Sequence, residues 1–311
     1  MVPSGVQTAH TADGWSLPVR RYAASGPPVV LVHGMGVTHH NFDYHPDVSL
    51  AHTLQQAGFD VWVPTLRGDP GTVAPSLSAD QGFTFDGYAR QDIPAILDVI
   101  TEETGAAQVH WVGHSMGGIL LYTSLQQFPE RIASGVAVSS PVAFVDQNVL
   151  HRMTVMGASV MRRDRRMPMS RLGRHLLPRG VVARQLGNVR NMDPAVTRGL
   201  ATHSVVDMST EISHQAAQWL RSRTLLTLEG TPWLTSAPSV PLLVMGGDRD
   251  RIVPPENVSQ ACDVFPECSF VLLSPETGFS ASYGHIDPLL SAAGRAEVFP
   301  LITGFLLSQD W

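Results

Sequence analysis

The chain has 311 residues, 43% of them hydrophobic and 15% charged, with a formal net charge of -6; such a composition belongs to globular proteins and lies far from disordered or fibrous ones. All 21 basic residues are arginine, which excludes the phosphate-cradling Gly-Lys-Ser/Thr loop and Schiff-base lysine chemistry. The acidic balance is no footprint for nucleic acid, and no run approaches the roughly 18 apolar residues that span a bilayer.

The opening VQTAHTADGWSLPVRRY holds two extended stretches around Asp13-Gly14, a dipeptide suited to a tight hairpin, so an antiparallel edge pair is expected. The start lacks the basic and then apolar pattern of a secretory signal, and a cytoplasmic protein is the expectation. Short apolar runs follow at 29–32, 60–63, 109–112, 135–138, 241–245 and 269–273. They read as strands buried on both faces, as a parallel sheet requires. Between them SLAHTLQQAGF and DIPAILDVITEETG repeat Leu and Ile at helical spacing and stop at Gly58 and Gly105. Strand and helix alternate, the pattern of a doubly wound α/β sheet.

One interval breaks the rhythm. About 100 residues separate the fourth core strand from the fifth, where a crossover needs roughly a dozen. The expected division is therefore core over 1–140, an inserted helical cap or lid over 141–239, and core again over 240–311. Within the insertion, residues 151–190 carry ten Arg and five Met against one acidic residue, Asp164. Met153, Met156, Met161, Met167 and Met169 either face an apolar pocket as adaptable thioethers or pack as an ordinary helical core. The arginines form either a dock for an anionic partner or a solvated face. Cys262 and Cys268 match no zinc spacing and are too few for a disulfide framework, so free thiols are expected.

The chemistry concentrates in VHWVGHSMGGILLYTSL, where a strand runs into Gly113-His114-Ser115-Met116-Gly117 and then a helix. In that context Gly-x-Ser-x-Gly is a nucleophile elbow, with the serine exposed on a strained turn and glycines where side chains would collide. A hydroxyl needs an adjacent base, normally a histidine oriented by a carboxylate. His285, in a Gly-containing loop past the last strand, has the right position, while Asp287 reads as the cap of the next helix. The oxyanion hole is expected from the backbone N–H groups of Met116 and Met35, with Gly34 letting the loop approach substrate. For the acid, MGGDRDRIVPPE offers Asp248 and Asp250, and Asp146 is a third candidate.

The loop LVHGMG, the elbow GHSMGG, GGDRDRIVPPE and the late YGHID, in this order, resemble the α/β-hydrolase superfamily over about 25–140 and 240–311. SLAHTLQQAGFDVWVPTLRG also resembles acid-lipase-like and polyhydroxyalkanoate-synthase-like members; the synthases place cysteine in the elbow, where this chain has Ser115. The resemblance implies the α/β-hydrolase fold and Asp250 as the acid, because such members place it ahead of the Val-Pro step. It also implies an esterase or lipase-like enzyme acting on a small-molecule acyl ester, with no metal and no organic cofactor. A thioesterase or acyltransferase using coenzyme A or carrier-bound acyl groups is the nearest alternative, and carbon–carbon bond hydrolysis a more distant one. A non-catalytic ligand-binding protein on the same scaffold is the alternative of another class.

Overall fold

The computed structural model describes residues 2–75, 83–163, 165–170 and 187–309. Its frame is a sheet of β1 (Gly5–His10), β2 (Ser16–Tyr22), β3 (Pro28–Val32), β4 (Asp60–Pro64), β5 (Val109–His114), β6 (Ile132–Val138), β7 (Leu242–Gly247) and β8 (Cys268–Leu273). The spatial order is β1-β2-β4-β3-β5-β6-β7-β8. β2 pairs antiparallel with β1 and β4, and every other neighbouring pair is parallel. The expected edge hairpin turns at Gly14, whose φ of 91° is open to glycine at no steric cost.

Every residue of β3, β4, β5 and β7 is buried, as both-face burial requires. β8 departs from that expectation: as the last strand it leaves most of its residues half-buried and Ser269 exposed. Alternate residues of each strand feed two separate cores. Val30, Val32, Trp62 and Trp111 pack on one face, and Val29, Leu31, Val61 and Val112 on the other.

The longer helices among the described residues are α1 (Leu50–Gln56), α2 (Ile93–Thr104), α3 (Met116–Gln127), α4 (Val149–Val160), α5 (Pro194–His203), α6 (Thr210–Ser222) and α7 (Ala292–Leu307). α2 and α3 cover the first face through Ile96, Ile100, Leu120 and Leu121, and α1 and α7 cover the second through Leu54, Phe299 and Ile302. Each such side chain contributes about 1.5–3 kcal/mol on burial. α2 stops at Gly105, which takes the left-handed conformation.

The long insertion carries α4, α5 and α6. It is closed at its base by the Ala143–Thr224 bridge and by Phe144 N–H donating to the Arg223 carbonyl at 3.2 Å. Past that clasp, Leu225, Trp233 and Val240 are buried with the residues of the sheet. Asp164, Arg171, Arg174, Arg179 and Arg184 of the basic segment lie outside the described residues.

The two cysteines are not free thiols. Cys262, on the short helix Ala261–Val264, and Cys268, at the start of β8, form a disulfide with Cα atoms 4.9 Å apart. The turn between helix and strand brings them within disulfide reach, a closure that spacing alone did not reveal. Among the described residues, no helix is long and apolar enough to cross a membrane.

Candidate active site

Ser115 stands between β5 and α3 with φ 52° and ψ -115°, a backbone state that costs a non-glycine residue about 1–3 kcal/mol. The surroundings hold it there. Its N–H donates to the Val138 carbonyl of β6 at 2.9 Å, and its carbonyl accepts from Gly118 and Ile119 N–H at 3.0 and 3.2 Å. A Cβ at Gly113 would lie 2.3 Å from the Gly117 carbonyl oxygen, and one at Gly117 1.8 Å from that of Val32. Only glycine fits at either place, as the elbow pattern anticipates.

The structure brings Ser115, His285 and Asp250 into one line. His285 Nε2 lies 3.0 Å from Ser115 Oγ, and His285 Nδ1 lies 2.7 Å from Asp250 Oδ2. A carboxylate oxygen only accepts, so Nδ1 carries the proton and the Nε2 lone pair faces the serine hydroxyl. Asp250 Oδ1 accepts from the N–H groups of Ile252 and Val253, both at 2.8 Å, which fixes the carboxylate. Ser115 is half-buried, whereas His285 and Asp250 are 5% and 6% exposed, so the serine alone opens to substrate.

The other two acid candidates lie elsewhere. Asp248 binds backbone, as a turn aspartate does, but the N–H it accepts belongs to distant Tyr283 at 2.9 Å, in the loop that carries His285. Asp146 is exposed and meets Asn257 only through its own backbone, its N–H donating at 2.8 Å and its carbonyl accepting at 2.8 Å. Asp287 is not a helix cap. It opens the short helix Asp287–Leu290, whose N-cap is Ile286, and its carboxylate instead accepts from Gly284 N–H at 3.0 Å, Asn188 N–H at 2.8 Å and Asn191 Nδ2 at 2.8 Å. Asn188 and Asn191 also donate to the Ser282 carbonyl at 2.8 Å each. Asp287 thus ties the insertion to the His285 loop.

Two further residues brace the line. His114 places Nε2 2.9 Å from the His285 carbonyl and Nδ1 2.8 Å from Asn41 Oδ1. Asn41 Oδ1 also accepts from Gly34 N–H at 3.1 Å. Burial, then the neighbouring His285, pushes the His114 ring down to about 3, so it is neutral with one N–H and serves one of the two oxygens at a time. Sequence reasoning passed over both residues. His114 was visible inside the elbow motif, but Asn41 carries no signal of its own.

Met116 opens α3, so its N–H has no acceptor within the helix. Met35, 39% exposed, and Met116 both line a cavity of about 140 Å³ that reaches Ser115. Phe144, His151, Trp219 and Ile252 complete much of its wall. The five methionines of the 151–190 segment do not. Met153 and Met156 are 62% and 70% exposed on the outer side of α4, whose inner side presents His151, Val155 and Ala158. Met161, Met167 and Met169 are half-buried and contribute nothing to that wall. Among the described residues, no group of three His, Cys, Asp or Glu side chains converges as a metal site.

Known proteins resemble this chain in sequence and in fold. Human gastric triacylglycerol lipase is 33% identical over 153 residues, which is 43% of this chain and 38% of that protein. The lysosomal acid lipase/cholesteryl ester hydrolase of Macaca fascicularis is 35% identical over 162 residues, 46% of this chain and 40% of that one. These alignments span about two fifths of the relatives' length. Among solved structures, a thermophilic esterase from Thermogutta terrifontis superposes with a TM-score of 0.66 at 19% identity, covering 98% of each chain. An esterase from Exiguobacterium antarcticum gives 0.67 at 17%, covering 97% of this chain and 99% of its own; at such identity the likeness is one of fold. The family model for the alpha/beta hydrolase fold matches residues 27–285, and with the sheet order and the elbow in agreement this chain belongs to the α/β-hydrolase family.

Proposed function

We propose that the chain is a serine hydrolase that cleaves carboxylic esters through an acyl-enzyme. Ser115 Oγ attacks the ester carbonyl while His285 Nε2 takes its proton, and the same nitrogen returns that proton to the departing alcohol. Asp250 keeps the imidazole in the required tautomer and stabilises its cationic form. The N–H groups of Met35 and Met116 receive the oxyanion, whose stabilisation is usually the largest single electrostatic contribution. Water, activated by His285, then releases the acid. No step calls on a metal or an organic cofactor. The observation that carries this reading is the continuous Ser115–His285–Asp250 contact at 3.0 and 2.7 Å, opening onto an apolar cavity. The relatives' names, triacylglycerol lipase and cholesteryl ester hydrolase, favour an ester with an apolar acyl part.

The insertion, taken as residues 141–239, is the cap that selects substrate, and its exposed Arg152, Arg162, Arg165 and Arg190 offer a surface to an anionic partner. A disulfide belongs to an oxidising compartment, so the Cys262–Cys268 bond argues against the cytoplasmic expectation.

Aryl esters and acyl thioesters of increasing chain length, offered to the wild-type chain and to Ser115→Ala, test the reading. Turnover of esters in excess of thioesters, lost with Ser115, is the expected result. Activity that survives the substitution overturns the assignment, and a preference for thioesters moves the chain to the acyl-thioester class.

A further inference from the structure

We infer that the cavity beside Ser115 is the acyl site and takes an acyl group of about six carbons or fewer, with Trp219 setting the limit; this rests on the ester-hydrolase reading above. The cavity is bordered by Ser115 and by Met35 and Met116, whose N–H groups receive the oxyanion in that reading, but not by His285. In ester hydrolysis the base hands its proton to the departing alcohol. The alcohol therefore lies on the His285 side of Ser115, where Nε2 stands 3.0 Å from Oγ. The acyl group is the part left to enter the cavity.

The volume of about 140 Å³ is close to that of an apolar cavity of about 150 Å³ known to take up benzene, hence the limit of about six carbons. Trp219 is the largest side chain in the wall and is 4% exposed. Two contacts keep it from making room. Its indole N–H donates to the Leu226 carbonyl at 2.6 Å, and its ring stands edge-on to Phe85, with the centroids 4.9 Å apart. Phe85 borders the cavity too and is fully buried. Its N–H donates at 3.1 Å to Gln215 Oε1 of α6, the helix that carries Trp219, so one helix holds both rings. A chain too long for the space must leave its further carbons in water, where they add nothing to binding.

The test compares kcat/KM for the p-nitrophenyl esters of butyric, hexanoic, octanoic and decanoic acids, each kept below its aggregation concentration, and for methyl, butyl and octyl acetates in a pH-stat. The wild-type chain should favour hexanoate over decanoate by at least about tenfold, since an apolar pocket discriminates by about 10- to 200-fold for a single methylene. The acetates should show no fall with alcohol length, because the alcohol stays outside the cavity. Trp219→Ala should raise the decanoate-to-hexanoate ratio about tenfold by adding room. That ratio is independent of how much protein is folded, and if Trp219→Ala does not fold, Trp219→Leu is judged by the same criterion. Decanoate turned over as readily as hexanoate by the wild-type chain overturns the inference while leaving ester hydrolysis intact. So does a ratio that the substitution leaves unmoved, or a ceiling that falls in the alcohol series instead of the acyl series. If none of these esters is turned over, the ester reading itself falls and takes this inference with it.

Discussion

The Ser115–His285–Asp250 line and the insertion above it are held by the same kind of contact, a side chain bound to a backbone group, but with the side chains in different places. In the core both partners belong to the core: Asp250 accepts from two amide N–H groups, Asp248 from the N–H of Tyr283, and His114 reaches the carbonyl of His285 itself. The insertion reaches the core largely through its own side chains: Asn188 and Asn191 to the Ser282 carbonyl, Asn148 to the Arg251 carbonyl, and His151 to the Ile252 carbonyl. A single substitution in the insertion therefore changes its seating without replacing any residue of the catalytic line.

The largest effects should come from breaking the core line. Ser115→Ala removes one half-buried hydroxyl and inherits the same backbone strain, so the melting temperature should hardly move. Activity should fall by about four to six orders of magnitude, and a residue above about one part in a thousand would count against the assignment. Asp250→Asn should cost on the order of 10⁴ in kcat, since the amide favours the wrong tautomer. Asp248→Asn should cost far less in kcat, because it acts on the backbone of Tyr283 and touches neither reacting group. The reverse ranking in folded variants would overturn the choice of acid.

How legible these regions are in the sequence follows the same divide. The elbow announces itself because its geometry admits only glycine at 113 and 117, a constraint local enough to be read as a motif. His285 is legible from its place after the last strand, whereas Asp250 is singled out from Asp248 and Asp146 only by the family resemblance, which places the acid ahead of the Val-Pro step. Asp287 was misread because Asp-Pro at a helix start looks like a cap. Its actual partners, Asn188 and Asn191, sit 99 and 96 residues upstream. The methionines of α4 were half-legible, since helical spacing tells which residues share a side but not which side turns inward. The cysteines depended on a turn that spacing does not reveal, and Asn41 depends on His114, 73 residues away.

Cutting the tie between the two regions should have an intermediate effect. Asp287→Ala leaves Gly284 N–H, Asn188 N–H and the Asn191 amide without their acceptor, and each buried donor so orphaned costs about 1–3 kcal/mol. A loss of several kcal/mol in denaturant melts is expected, with kcat lowered about tenfold through the His285 loop. Asn191→Ala removes donors only and should cost about 1 kcal/mol with kcat nearly unchanged. Equal damage from the two would show that Asp287 does not couple the regions.

Acid should act on two buried groups, His110 of β5 and Asp287 at the tie to the insertion, in opposite senses. Burial pushes His110 down to about 4, so its unfolded form takes up a proton first as pH falls below about 6.5. Its stabilising contribution is present above that value and is lost as pH drops towards 4. Asp287 is raised by burial, against the hydrogen bonds from Asn188, Asn191 and Gly284 that lower it. Its contribution is present below the ordinary 3.8 and is lost as pH rises through its elevated value. Denaturant melts between pH 4 and 7 should therefore show the wild-type advantage over His110→Gln growing with pH, by at most about 1.4 kcal/mol per unit. The advantage over Asp287→Asn should shrink over the same range. Slopes of the same sign would contradict the burial argument for one of the two groups.

The smallest effect separates charges that salt reaches from charges it does not. Arg67 is buried and pairs with Asp92 at 2.6 Å, and such a pair lies out of reach of mobile ions. Arg152, Arg162, Arg165 and Arg190 of the insertion are exposed. Arg163 is exposed as well, but shares its charge with Glu211 at 3.3 Å and should contribute less. The Debye length shrinks from about 10 Å at 0.1 M to about 3 Å at 1 M salt, so attraction between these exposed arginines and an anionic substrate fades over that range. For an ester carrying a remote carboxylate or phosphate, KM should rise about two- to threefold, while kcat and the KM of a neutral ester of equal length stay level. Arg162→Gln combined with Arg165→Gln should flatten the rise without touching the neutral ester. A KM for the anionic ester that ignores salt would mean that these arginines are only a solvated face, and the insertion would then select substrate through its apolar wall alone.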